Sequence, residues 1–257
     1  MTSKMLLSFL MIGLMIAAAF VTGVAASNER AQEPFTAERS VTQTALASDG
    51  GPGLFLPTTD GDGFVTRTNS GPVAFQPGSI LLYVGKDRHC LRILFVDSAK
   101  CAPQGFGQAT ATNRYLGSSP AQWSGGQAYT GLRYEDLWPG IDMEFNNIGG
   151  NLKYQYVLAA GANPKNILLR VEGTTGLGIT PDGSLAMRMA DGGMVMDRGL
   201  VAFYTDSPLD TVRAQFRLLD RNAYTFSLGA YDSQRSVTID PLLYSALIGG
   251  NNFDTAF

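Results

Sequence analysis

In the second half of this chain the apolar side chains fall on every second position, and a turn signal interrupts them roughly every ten residues. In "NILLRVEG", Ile167, Leu169 and Val171 share a face. In "SLAMRMADGGMVM", Leu185, Met187 and Met189 lead to an Asp-Gly-Gly turn, and Met194 and Met196 follow it. Val212, Ala214, Phe216 and Leu218 alternate with Arg213, Gln215 and Arg217. After a turn at Asp220-Arg221-Asn222, Tyr224, Phe226 and Leu228 form the returning face. A period of two specifies strands with one buried face. Closely spaced strands joined by short turns make an antiparallel meander, hence a sandwich or barrel, so the expected class is all-β, a sandwich-like meander. "PDGS" at 181–184 is a further turn, in which Pro presets φ and Gly takes the left-handed position. "SILLYVG" and "CLRILFVD" read as earlier strands of the same domain, which is assigned to residues 64–243. No helix is expected after residue 26.

Composition agrees with this class. Hydrophobic residues make up 45% of the 257 and charged residues 16%, enough apolar side chains for a real core under a lightly charged surface. The 30 Gly and 12 Pro favour many turns over long helices. The formal charge is −3, and without any Lys/Arg-rich run nucleic acid is not an expected partner.

The N-terminus reads as an export signal. Lys4 supplies a positive start, and Met5 to Ala26 is apolar. Val24 and Ala26 suit the small-residue positions before a cut, so cleavage before Ser27 is expected. The 22-residue apolar stretch also suffices to span a bilayer, so residues 1–26 form a signal peptide or a helical membrane anchor. Residues 27–62 are polar and aperiodic and read as a flexible linker. Within it, Asp60 and Asp62 in "DGDG" resemble the opening of a calcium loop. Phe64 stands where a polar ligand is needed and the closing Glu is missing, so a glycine-rich turn is the better reading.

Cys90 and Cys101 are the two cysteines. An exported protein sits where disulfides persist, which favours pairing. Seven extended residues after Cys90 carry the chain about 20 Å away, whereas a disulfide needs Cα atoms within about 7 Å. Pairing and two separate thiols both stay open.

The densest cluster of chemistry is "YEDLWPGIDMEF", Tyr134 to Phe145. Pro139-Gly140 fits the centre of a type II turn. Beyond it Ile141, Met143 and Phe145 point one way, and Asp142 and Glu144 the other. Side chains two apart on a strand are about 7 Å apart, within the separation of glycosidase acid/base pairs. Trp123, Tyr134 and Trp138 could stack on a sugar. Any strand with one wet face gives the same spacing, and solvated carboxylates beside a turn are the simpler reading. His89 is the only histidine, and its neighbour Cys90 faces the other way on a strand, so neither a Cys-His dyad nor a zinc site follows. No catalytic residue, metal ligand or cofactor is assigned.

The runs "NRYLGSSPAQWSGGQAYTGLRYEDLWPGIDMEF", "LKYQYVLAAGANPKNILLRVEG", "GITPDGSLAM" and "YDSQRSVTIDPLLYSALIGGNNFD" occur in this order. Together they resemble the uncharacterised β-rich domain that precedes SBBP-type β-propeller repeats in exported bacterial and archaeal proteins. The resemblance covers roughly residues 64–257. That family has Tyr where Trp138 stands and Asp where Asn163 stands, and Cys90 and Cys101 are not among its features. It implies a secreted or surface-attached, non-catalytic module without an established active site. "LIGGNNFDTAF" resembles the start of a first propeller repeat, so residues 244–257 are expected to be a truncated repeat.

The function expected from these readings is an exported structural or interaction module whose partners are proteins or cell-surface glycans. The alternative is a carbohydrate-binding or glycan-cleaving domain using Trp123, Tyr134, Trp138, Asp142 and Glu144. A third reading is a membrane-anchored envelope protein whose β domain packs against a partner.

Overall fold

The structure is a computed structural model that describes residues 53–58, 60–84, 89–108, 112–115 and 123–244. Their regular elements are nineteen strands and one short 3-10 turn. The first strands are β1 (Phe55–Pro57), β2 (Phe64–Thr68), β3 (Gly71–Gln76), β4 (Ser79–Val84) and β5 (His89–Phe95). Next come β6 (Gln104–Gln108), a separate pair β7 (Thr112–Tyr115) and β8 (Trp123–Gly126), and the long β9 (Tyr129–Trp138), β10 (Ile141–Ile148) and β11 (Asn151–Leu158). A 3-10 turn at Pro164–Asn166 leads to β12 (Leu169–Glu172), β13 (Gly176–Ile179), β14 (Leu185–Arg188) and β15 (Met194–Tyr204). β16 (Ser207–Val212), β17 (Ala214–Leu218), β18 (Ala223–Leu228) and β19 (Val237–Tyr244) complete the sheet.

All pairings are antiparallel. The main ring runs β17–β18–β12–β5–β4–β3–β2–β1–β9–β10–β11–β19–β15, with β6 added beside β9 and β14 and β16 beside β15. One sheet therefore curls until it nearly closes, the barrel-like outcome of the sandwich-or-barrel expectation and not the sandwich-like one. Alternation says which side chains are buried; it does not say whether they face a second sheet or the far wall of their own. The seam is bridged locally. Leu177 N–H donates to Arg221 O at 2.9 Å, and the Arg221 guanidinium donates to Thr175 O at 2.9 and 2.7 Å.

Local chemistry sets the turns. β10 and β11 are joined by Gly149-Gly150 with φ of +61° and +84°, as a two-residue hairpin turn of primed type requires. Gly140, at φ +71°, supplies the left-handed position after Pro139. The "PDGS" turn closes with Thr180 N–H to Ser184 O, at 2.9 Å.

Most faces read from alternation are the buried ones; on β15, however, Val195 and not Met194 or Met196 enters the main core, because Val195 is the residue paired with Met187. Ile167, Leu169 and Val171 are fully buried, as are Leu185 and Met187, while Phe216 on β17 lies opposite Phe226 on β18. On β4 the burial is two-sided. Ile80 and Leu82 enter the main core, whereas Leu81 and Tyr83 join Leu56, Val65 and Ala74 in a second cluster on the other face.

Two boundaries move. The linker assigned to 27–62 does not extend through β1, because Phe55 pairs with Thr66 and lies fully buried in the main core. Its side chain packs edge-on to Phe75, 5.5 Å between ring centres. Tyr244, assigned to the tail, is the last residue of β19 and pairs with Met196. The signal or anchor segment, residues 27–52 and the tail from 245 lie outside the described residues. Among the described residues no helix is long and apolar enough to cross a membrane.

If β1 is integral, Phe55→Ala lowers stability by about 3–5 kcal/mol, the usual loss for a buried Phe. Urea unfolding measures this, and an unchanged midpoint would return residues 53–57 to the linker.

Candidate functional site

The corner at 134–145 is built by two acidic side chains that hold backbone. β9 carries extra residues opposite β10, so the register slips between Ile141 and Met143, and Asp136 takes φ +46° there. Asp142 Oδ1 accepts the Asp136 N–H at 2.8 Å, and Asp136 Oδ1 accepts the Gly140 N–H at 3.2 Å. The two carboxylates thus stabilise the bulge and the turn.

Glu144 is not the solvated side chain expected from sequence. It is 9% exposed and sits in a cross-strand row between Arg133 on β9 and Gln155 on β11. Arg133 Nε donates to Glu144 Oε1 at 2.7 Å, Arg133 Nη2 donates to the same oxygen, and Gln155 Nε2 donates to Oε2 at 2.8 Å. This corrects the reading of Glu144 as free on a wet face. Alternation did place it on the outward side, but its neighbours on both flanking strands cover and neutralise it.

Tyr134 and Trp138, two of the aromatic residues singled out with these carboxylates, point the other way. Tyr134 is fully buried and its hydroxyl donates to Gln76 O at 3.0 Å. Trp138 is buried and its Nε1–H donates to Val96 O at 2.9 Å. Trp123 lies on β8 of the separate two-stranded sheet. Tyr134 and Trp138 are therefore core residues and do not form a platform with Asp142 and Glu144.

The remaining sequence features are structural. Asp60 accepts from the Thr58 hydroxyl and from Asp62 N–H at 3.3 Å, and Gly61 has φ +80°, which makes "DGDG" a glycine turn. His89 Nε2 lies 2.9 Å from Asp191 Oδ2. No disulfide joins Cys90 and Cys101. Cys90 packs on the outer cluster and Cys101 against the main core, where burial pushes its thiol pKa up. Among the described residues no group of three His, Cys, Asp or Glu side chains is placed to hold a metal.

A polar cluster inside the barrel was not found from sequence. Asp197, just before the bulge of β15 between Arg198 and Val201, is fully buried and accepts a hydrogen bond from the Tyr154 hydroxyl. Tyr156 and Tyr224 adjoin it around a cavity of about 10 Å³, about the room one water needs. Burial pushes the Asp197 carboxyl up to about 7, with the Tyr154 hydrogen bond opposing that rise in part. Burial also drives the three phenols well above their ordinary range. Alternation placed Met194 and Met196 on the inward face and so made Asp197 read as outward; the register instead sets Val195 and Asp197 opposite Met187 and Leu185.

An outer cleft of about 360 Å³ lies between the Pro164–Asn166 turn and the β17–β18 hairpin. Lys165, Arg217 and Tyr231 line it together with Leu168, Leu219 and Leu228. The turn is set by Asn163, whose side chain accepts the Lys165 N–H at 3.1 Å, with Pro164 at the first turn position. Beneath, the Thr225 hydroxyl donates to Ile167 O at 2.6 Å and ties the turn to β18.

A family model described as a domain of unknown function, DUF7948, matches residues 57–242. The chain belongs to the DUF7948 family. No curated protein and no solved structure matches it. The matched span of the DUF7948 domain runs from the end of β1 into β19, so it is the curled sheet itself.

Two measurements check this description. Glu144→Ala lowers stability by about 1–3 kcal/mol, because Arg133 and Gln155 lose a charged partner, whereas exposed Glu135→Gln changes it by less than about 0.5 kcal/mol. Equal effects of the two would remove Glu144 from a structural role. For Asp197 the folded carboxyl binds its proton more tightly than the unfolded one. Stability contributed by that proton is complete below about pH 4 and is lost as pH rises toward 7. Asp197→Asn lacks this loss, so it gains stability relative to the wild type between about pH 5 and about pH 8. Parallel pH profiles in urea unfolding would contradict it.

Proposed function

We propose that the domain is a non-catalytic interaction module, exported to the outside of the cell, and that in longer proteins of this kind it stands ahead of SBBP-type propeller repeats. The single observation that carries the non-catalytic part is the Arg133–Glu144–Gln155 row. A glycosidase acid/base pair needs two carboxylates open to substrate, and here Glu144 already has protein donors on both oxygens while Asp142 holds a backbone N–H. Burial of Tyr134 and Trp138 speaks against two of the three aromatics named in the alternative glycan reading. Export is supported by Lys4 followed by the apolar run Met5–Ala26, with a membrane anchor as the alternative fate of that segment. The propeller association rests on the sequence runs described above.

The test has two arms. N-terminal sequencing of the protein from culture medium is expected to begin at Ser27, whereas an intact Met1 in the membrane fraction favours the anchor. Incubation with a panel of oligosaccharides is expected to leave them uncleaved. Hydrolysis that disappears in Asp142→Asn with Glu144→Gln would defeat the non-catalytic reading.

A further inference from the structure

Resting on the reading of the domain as an interaction module, we propose that the cleft between Pro164–Asn166 and the β17–β18 hairpin binds an acidic peptide segment that also carries apolar side chains, from a partner protein.

The charge around the cleft points to an anion. The chain as a whole is net negative, at −3, yet no Asp or Glu lines the cleft. The two cations that do, Lys165 and Arg217, come from different elements, and neither has an ion-pair partner among the described residues. Of the acids adjoining the lining residues in sequence, Asp220 pairs with Arg170 at 3.1 Å and Asp232 accepts the Gln234 N–H at 2.9 Å. Arg217 and Thr225 are directly opposite each other in the β17–β18 ladder, so the cation stands over a rigid hairpin and not on a loop.

The floor points to a peptide over a saccharide. Leu168, Leu219 and Leu228 supply apolar surface, and Leu219 is 39% exposed. Sugar sites are built from open aromatic faces and planar polar groups; in this cleft Tyr231 is the one partly exposed ring among its lining residues, since Phe226 is buried. A short segment alternating carboxylates with leucine-sized side chains meets both features. Its carboxylates reach Lys165 and Arg217 while its apolar side chains cover the leucines. Cleft volume is in the range of small binding sites, so only a few side chains of the segment are engaged at once.

The experiment uses the full chain and three fluorescent probes. One is a capped peptide alternating Asp and Leu, one is the same peptide with Lys in place of Asp, and one is a labelled oligogalacturonate. Anisotropy titration is expected to show binding of the Asp-Leu peptide and none of the Lys-Leu peptide. Arg217→Ala and Lys165→Ala are each expected to weaken binding about tenfold, and raising salt from about 0.05 to about 0.5 M to weaken it further. Leu219→Asp, at an exposed position, places a negative charge in the cleft and is expected to abolish binding with an unchanged melting temperature. Failure of the Asp-Leu peptide to bind, or binding indifferent to all three substitutions, overturns the inference. Uncleaved oligogalacturonate bound in place of the peptide also overturns it, while leaving the interaction-module reading intact. Cleavage of oligogalacturonate overturns both.

Discussion

The fold depends on a continuous lattice of aromatic rings at the centre of the curled sheet. Phe55 meets Phe75, Phe75 meets Phe145, and Phe145 meets Tyr134 and Tyr154, at centroid distances between 4.9 and 6.2 Å. The lattice continues through Phe95, Trp138 and Tyr156 to Phe226, Phe216 and Tyr224. Most of these pairs are edge-to-face, the arrangement that the ring quadrupole favours. The rings come from strands as distant in sequence as β1 and β18, so the contacts that close the sheet are non-local. Large rings also fill the span between opposite walls, which short side chains could not do at this strand number.

That lattice decides what the conspicuous residues of the 134–145 corner can do. Tyr134 and Trp138 are committed to the interior, and their polar ends are satisfied by the Gln76 and Val96 carbonyls. Once both rings are inside, the side chains alternating with them must face outward. This sets Arg133 on β9 in line with Glu144 on β10 and Gln155 on β11. The acidic character of the corner is then largely structural: one carboxylate in an ion pair, two in the bulge and turn.

Aromatic packing also explains the polar cluster within the barrel. Tyr154, Tyr156 and Tyr224 contribute rings to the lattice and line one small cavity with Asp197, to which the Tyr154 hydroxyl donates. A buried carboxylate beside phenols holds its proton more tightly than a free one, because the charged form has lost its water and gained no cation. On the outside the pattern is reversed, and the cleft above β17–β18 has cations without acids. The interior polarity is a property of the fold, while the outer cleft is the surface proposed to take a partner.

The all-β class, the antiparallel order, the Asp191-Gly192-Gly193 and Asp182-Gly183 turns and the faces of β12, β14, β17 and β18 were all determined by sequence alone. Each is a local property, a period of two or a residue that permits positive φ, and it survives in any tertiary setting. β1 escaped because three residues are too few to show a period. Curling into one sheet, the Glu144 row and the Asp197 cluster were decided only by tertiary structure. Alternation marks Glu144 and Asp197 as members of a strand face, but their burial depends on side chains brought alongside by strands that are remote in sequence or set by register. The outer cleft has the same origin, since Lys165 and Arg217 stand 52 positions apart in the chain and meet only when β12 and β18 pair.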